Sequence, residues 1–373
     1  MKKKILFTTF DLSIGGIESC LVNLVNNIDY NKYDVTILLQ LKRGDLLKNV
    51  NKEVKVIDYN LSKMKFSILR KAINLIKIIL VFIKNYRKYD FAACYGTGYS
   101  VSAKVAYFAS KNNAIWMHTN IIKFIENGYQ VKTLFKKDVI GKVKTFLNRI
   151  WFRKFKRYFF VSLNAINAYL SIYPMDKEKV ILCHNFVDYK KILEKSKEQV
   201  DDMFDLNTTN FINISRHTEY DKRLSRIINA VEKLKKDYKF KLIMIGDGLE
   251  NSYYRKLVND KNLNDIIKFY GKKSNPFPYL KDASCLVMSS AFEGFPTTFT
   301  EAMTLNIPII TTDVSDANSI IKDKYGIVVE NNDDAIYDGM KKFLDEGFKI
   351  KKKFNPENYN TESLNKIYNE IEK

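Results

Sequence analysis

The stretch SSAFEGFPTTFTEAM, residues 289–303, sets two glutamates, Glu293 and Glu301, on either side of seven residues rich in glycine, proline and threonine. Carboxylates held around a tight corner suit a ligand with several hydroxyls, because each oxygen accepts hydrogen bonds. CLVMSS, Cys285 to Ser290, is a short apolar run bounded by polar residues, the pattern of a buried strand. Pro296 fits at or just before the first turn of a helix. Thr298 and Glu301 have the spacing of a capping box. The unit therefore reads as strand, loop, helix, with Glu293 in the loop and Glu301 in the first helical turn. The free N–H groups of that turn make an anion site. A blander alternative stands beside this: Glu301 only closes a capping box, and Glu293 is a solvated loop charge.

Other segments place related groups just after a strand. In FINISRHTEYDKRLSRIINA, Arg216 ends a strand and Lys222 stands where the next helix begins. Arginine as a bidentate fork and lysine as a point charge suit a diphosphate; the alternative is solvated surface charge. In TTFDLSIGGIES, Gly15 and Gly16 open a helix after a strand, letting a phosphate approach the backbone or simply making a tight turn. MIGDGLE puts Gly246 and Gly248 in a similar loop, and AIWMHTN ends a strand on His118. Carboxylates, cations, backbone amides and one imidazole thus coincide at strand ends. A site for a sugar nucleotide needs that inventory.

These residues depend on the elements that carry them. Strands are expected at 5–10, 34–40, 54–59, 91–95, 114–118, 158–162 and 180–185, then at 211–216, 241–246, 266–271, 285–290, 308–313 and 326–330. Amphipathic segments such as SRIINAVEKLKKDY lie between. Strand–helix alternation with near-continuous apolar strands implies parallel sheets covered on both faces. Two such series predict an α/β chain of two doubly wound domains facing each other across a cleft, with ligands at the carboxyl ends of strands. The charged stretch YKKILEKSKEQVDDMFDLNTTN lacks strand character and reads as the join. The expected layout is an N-terminal domain over 1–188, a linker over 189–210, a C-terminal domain over 211–355 and a final helix over 356–373 that packs back on the N-terminal domain.

With 373 residues, 46% of them hydrophobic, the chain can fill two cores. A net charge of +20 draws it toward anions: nucleic acid, phosphorylated substrates or an acidic membrane. Cys20, Cys94, Cys183 and Cys285 are far apart and form no CxxC pair, and the histidines do not join them at zinc spacing, so buried free thiols are expected. The apolar run after the N-terminal lysines is too short for a signal peptide. The longest, AINLIKIILVFI, is too short to span a bilayer. A cytoplasmic protein, peripheral to the inner face of the membrane, is the expectation.

EGFPTTFTE resembles the E-x7-E motif of the retaining GT-B glycosyltransferases of family 4, also called glycosyl transferases group 1. GGIES, SRHTEYDK, MIGDG, FYGKKSNPFPYLKDA, NIPIITTD and YGIVV follow the family's order along nearly the whole chain. The resemblance implies a nucleotide-sugar donor, a glycan or lipid-linked acceptor, and no metal. It implies catalytic roles for Glu293, His118, Arg216 and Lys222. Arg216 and Lys222 would hold the diphosphate, Glu293 would face the donor sugar, and Glu301 would bind ribose hydroxyls. Gly15, Gly16 and Gly246 would allow close approach, and the loop of Gly294, Phe295, Pro296, Thr297 and Thr298 would contact sugar and phosphate. His118 would sit where donor and acceptor meet. Three positions depart from the pattern: Ser215 and Pro296 replace usual glycines, and Asn185-Phe186-Val187-Asp188 lacks one.

A sugar-nucleotide epimerase or hydrolase of the same fold would need acid/base carboxylates in the first half, where no convincing pair stands. A nucleic-acid binder is suggested by charge alone, without any zinc, helix-turn-helix or RNP signature. Two segments interleave cations with apolar residues, Lys142–Phe160 and Lys63–Lys88. They read as a surface for anionic lipid, the alternative being buried helices with solvated basic faces.

Overall fold

The computed structural model describes residues 1–13, 15–62, 67–96, 100–118, 151–200 and 207–373. The chain forms two compact units. The first comprises Met1–Phe186 with Tyr359–Lys373, and the second Val187–Asn358.

The first unit is built on strands β1 (Lys3–Thr9), β2 (Tyr33–Leu39), β3 (Lys55–Asp58), β4 (Phe91–Cys94), β5 (Asn113–Met117), β6 (Arg157–Phe160) and β7 (Val180–Leu182). Their order is β3-β2-β1-β4-β5-β6-β7, with every ladder parallel. Ile5, Leu6 and Phe7 of β1 are fully buried, as are Phe91 to Cys94 of β4, because helices cover both faces. The second unit carries β8 (Thr209–Ile214), β9 (Phe240–Ile245), β10 (Ile267–Gly271), β11 (Cys285–Met288), β12 (Ile309–Thr312) and β13 (Gly326–Val329). Their order is β10-β9-β8-β11-β12-β13, again all parallel. Phe211 packs with the helices Leu224–Leu234 and Ala335–Glu346, while its neighbour Ile212 packs with Thr297–Thr304 on the other face. Each such buried side chain contributes about 1.5–3 kcal/mol.

In both sheets the strand order reverses once, between β1 and β4 and between β8 and β11. Such a reversal opens a crevice at the carboxyl ends of the two strands. The apolar runs located all of these strands, yet several end earlier than the runs suggest. β5 ends at Met117, β8 at Ile214 and β11 at Met288, so His118, Arg216 and Ser290 belong to loops. The residues beyond leave the ladder for loop contacts: His217 donates its N–H to the Asp247 carbonyl (3.0 Å), and Ala291 to that of Asp221 (2.8 Å).

The stretch expected to be a linker opens instead with a helix, Tyr189–Lys195. The Asp188 carboxylate caps it by accepting from the Lys191 N–H (3.2 Å), and Ile192 is buried. Residues 201–206 lie outside the described residues. The last helix, Pro356–Glu372, has Tyr359 onward in the first unit. There Tyr368 stacks on Tyr33 with centroids 4.9 Å apart, and Glu370 accepts from Arg157 Nε (2.6 Å).

Among the described residues of the 142–160 segment, the aromatic side chains pack against the first unit instead of interleaving with the cations on an open face. Phe152 and Phe155 are buried in the first unit's core, and Trp151 packs edge-on against Tyr107 and Phe108. Arg153, Lys154 and Lys156 are exposed, while Phe152 and Phe155 fill the space beside β6; residues 142–150 lie outside the described residues. Cys20, Cys94, Cys183 and Cys285 are all buried.

Candidate active site

The β8–β11 reversal gathers most of the second unit's candidates. Residues 215–223 leave β8, and residues 289–296 leave β11 beside them. Ser289 Oγ ties the two loops together through the carbonyls of Lys222 and Arg223, each at 2.9 Å. Arg223 adopts a left-handed conformation (φ 51°) just before the helix Leu224–Leu234, turning the chain so that Lys222 points back over β11. The Lys222 ammonium makes an ion pair with Glu293, whose Oε1 also accepts from Ser290 Oγ at 2.7 Å. Both side chains are largely shielded, 15% and 12% exposed. Asp221 Oδ2 lies 3.9 Å from the same ammonium and 3.3 Å from the Arg216 guanidinium. Arg216 is 68% exposed and free to turn toward a ligand.

A second loop abuts this one. Gly246, after β9, has φ +147°, and a Cβ there would stand 1.8 Å from the Ser215 carbonyl oxygen. Only glycine lets these backbones pass so closely. His217 is fully buried; its Nδ1 meets Asn251 Oδ1, and its Nε2 makes no hydrogen bond among the described residues. Burial lowers its pKa, so it braces the loop as a neutral group.

The helix bearing Glu301 runs Thr297–Thr304, with Pro296 as its N-cap in an extended conformation. The expected capping box does not form. Pro296 starts the helix two residues earlier than a Thr298 cap requires, Thr298 Oγ1 contacts Met288 Sδ instead (3.1 Å), and Glu301 falls in the second turn. With no capping duty, the half-buried Glu301 carboxyl is pushed up to about 7 by desolvation, opposed by the Thr297 hydroxyl. It is a carboxylate short of donors, the state a vicinal diol would relieve. Ser315 Oγ, donating to the Gly294 carbonyl at 2.6 Å, fixes the loop between the two glutamates. Phe295 is buried against Phe299, so it supports this loop and offers little side chain to a ligand.

Through residues 196–361 the chain matches the family described as "Glycosyl transferases group 1". The match takes in 166 of the 373 residues, less than half of the chain. Among relatives, the chain is 34% identical over 141 residues to an uncharacterised glycosyltransferase of Methanocaldococcus jannaschii, covering 37% of this chain and 34% of that protein. It is 24% identical over 177 residues to N-acetylgalactosamine-N,N'-diacetylbacillosaminyl-diphospho-undecaprenol 4-alpha-N-acetylgalactosaminyltransferase of Campylobacter jejuni, covering 47% of each. The chain thus spans less than half of these two relatives' length. Its architecture matches Anabaena HepE, solved in complex with UDP, at a TM-score of 0.71 and 15% identity over 98% of this chain and 100% of that one. The fold is GT-B: two doubly wound Rossmann-like units.

The first unit holds the other candidates. Gly15 is the N-cap of the helix Gly16–Asn26, and the space at Gly16 is open. The Glu18 carboxylate folds back over Gly15, 2.3 Å from where a Cβ would stand. Burial lifts the Glu18 carboxyl above its usual range, opposed by its own backbone N–H and reinforced by Asp11. His118 follows β5 and lies 4.6 Å from the Tyr95 ring. Its Nε2 is buried without a hydrogen bond among the described residues, and desolvation lowers its pKa to about 3. It is a neutral imidazole at physiological pH. Among the described residues no group of three or more His, Cys, Asp or Glu side chains is placed to hold a metal ion.

Sequence reading missed Asp221 and Ser290. Each looks like an ordinary loop polar residue, and only tertiary pairing across 71 residues brings Lys222 to Glu293. The available signal was position: Asp221 lies between two candidate cations, and Ser290 three residues before Glu293.

Proposed function

We propose that this chain is a retaining glycosyltransferase. It moves a sugar from a nucleoside-diphosphate donor, UDP-linked, to a glycan or lipid-linked acceptor in cell-surface polysaccharide, teichoic acid or glycolipid assembly, at the inner face of the membrane. The observation that carries the reading is the shielded Lys222–Glu293 pair, with Asp221 and Arg216 beside it, at the β8–β11 reversal. As the bond from sugar to diphosphate breaks, negative charge grows on the leaving phosphate. Arg216 and Lys222 stand ready to receive it, and preorganised cations in a shielded site cost little reorganisation at that moment. Lys222 ties Glu293 to the phosphate end, which puts that carboxylate beside the sugar. Glu301, short of donors, takes the ribose hydroxyls. His118 serves as a neutral hydrogen-bonding group toward the acceptor. The reading needs no metal, since side-chain cations and helix amides meet the leaving charge. HepE, solved in complex with UDP, and the Campylobacter enzyme, whose name carries a diphospho-undecaprenol acceptor, support the donor and acceptor classes.

A panel of nucleoside diphosphates and their sugars, scored by protection against thermal unfolding, tests this. Uridine compounds at about 100 times their Kd should add roughly 2.7 kcal/mol of stability, with other nucleotides trailing. No protection by any nucleotide at millimolar concentration contradicts the reading.

A further inference from the structure

We infer that the helix Ser67–Asn85 is an interfacial element whose outward face lies on an anionic phospholipid bilayer. A surface helix normally turns its apolar stripe inward and its polar face to water. This helix is apolar on both sides. Inward, Val81 is buried and Ile78 and Phe82 pack with the core around Leu6, Leu38 and Val105. Outward, Ile68 is 85% exposed, Leu75 60% and Ile83 66%, with Ile76, Ile79 and Leu80 also exposed. Their three- and four-residue spacing joins them into one stripe. Single exposed apolar side chains are ordinary, but a continuous stripe marks an interaction surface. Among the described residues no helix is long and apolar enough to cross a membrane.

Charge selects the occupant. No acidic residue occurs between Asp58 and Asp90. Lys71, Lys84, Arg87 and Lys88 are exposed along the same stretch. Two copies stacked on this face would oppose like charges, whereas an anionic bilayer matches both the apolar stripe and its basic edge. A cavity of about 380 Å³ opens beside the stripe, lined by Leu80 and Lys77, Lys84 and Lys88 together with Asp58. Three ammonium groups against one carboxylate favour a lipid phosphate there. The inference rests on the functional reading only for the membrane location; it needs no donor chemistry.

The test is flotation with vesicles of phosphatidylcholine alone and of phosphatidylcholine with phosphatidylglycerol. The protein should float with the second and be released by high salt. Ile76→Ser/Ile79→Ser/Ile83→Ser should lower the bound fraction about tenfold or more, with melting temperature and UDP binding in solution unchanged. Lys84→Ala/Lys88→Ala should weaken anionic binding roughly fivefold per cation. Should the triple variant not fold, Ile79→Trp supplies a second readout: its extra fluorescence should shift blue with anionic vesicles. Flotation of the triple variant like wild type, no flotation of wild type, or no shift for Ile79→Trp overturns the inference. So does a wild-type dimer that the triple variant splits while flotation persists, which assigns the face to a second copy. Lost UDP binding with intact flotation strikes the functional reading alone.

Discussion

The β1–β4 junction and the β8–β11 junction are equivalent places in two copies of one topology, yet their furnishings differ. At β8–β11, Arg216, Asp221, Lys222 and Glu293 form one charged chain, and Ser289 and Ser290 hold it still. At β1–β4 the strand ends carry buried Tyr95 and Cys94, whose pKa burial raises, so both stay neutral. Near that junction, among the described residues, the ion pair of Arg43 Nε with Asp11 Oδ2 at 2.8 Å fastens a loop. The fold supplies a crevice in both places; the loops decide which can grip an anion. On the proposed reading, the second unit's junction suits a charged ligand, and among the described residues the first unit's junction shows no comparable chain of charges.

The sharpest way to break this contrast is to remove its cations. Lys222→Ala and Arg216→Ala should each lower turnover about 10²–10³-fold while the protein stays folded, the usual cost of a lost charge-stabilising donor. Turnover of both variants within about twofold of wild type, by a sugar-transfer assay, makes the chain of charges mere surface pairing. Next in size is Glu293→Gln. It loses a charge-assisted contact, so turnover should fall roughly 10–100-fold while UDP binding stays near wild type. A parallel fall in UDP affinity, measured by calorimetry, moves Glu293 from the sugar to the nucleotide.

The smallest effect concerns stability. The folded Glu301 carboxyl titrates near 7 against an ordinary 4.5, so the folded state binds its proton more tightly than the unfolded state does. That contribution is fully present below the unfolded value and is lost as pH rises through about 7. Glu301→Gln cannot ionise. It should melt higher than wild type at about pH 8, with the gap closing toward about pH 5. A gap that widens on acidification contradicts the assigned burial.

The parts legible in the sequence follow from one physical regularity. A parallel strand covered on both faces must be apolar throughout, so CLVM and FINI announced themselves, and the charged residues past them, Glu293 and Arg216 with Lys222, marked the candidate site. What stayed hidden depends on competition between local and tertiary bonds. Thr298 and Glu301 have capping-box spacing, but Pro296 sets the helix start and Met288 takes the hydroxyl. Cations interleaved with aromatics at 151–157 mimic a lipid-facing segment, whereas Phe152 and Phe155 turn inward. The same reading of residues 67–88 meets a helix whose apolar face is open. Interleaving alone does not say which way a ring points.

Calorimetric titration of UDP into wild type and Glu301→Gln, at about pH 6 and pH 8, tests the central claim most directly. If the second unit's loops bind a nucleoside diphosphate and Glu301 holds its ribose, binding prefers the ionised carboxyl. Wild-type affinity then rises with pH, and the variant binds about tenfold more weakly at the higher pH, the cost of one charge-assisted hydrogen bond. The ligand's own titration is shared by both proteins, so the difference isolates Glu301. Equal affinities with one common pH profile contradict the account and leave Glu301 as a buried acid with no ligand to serve.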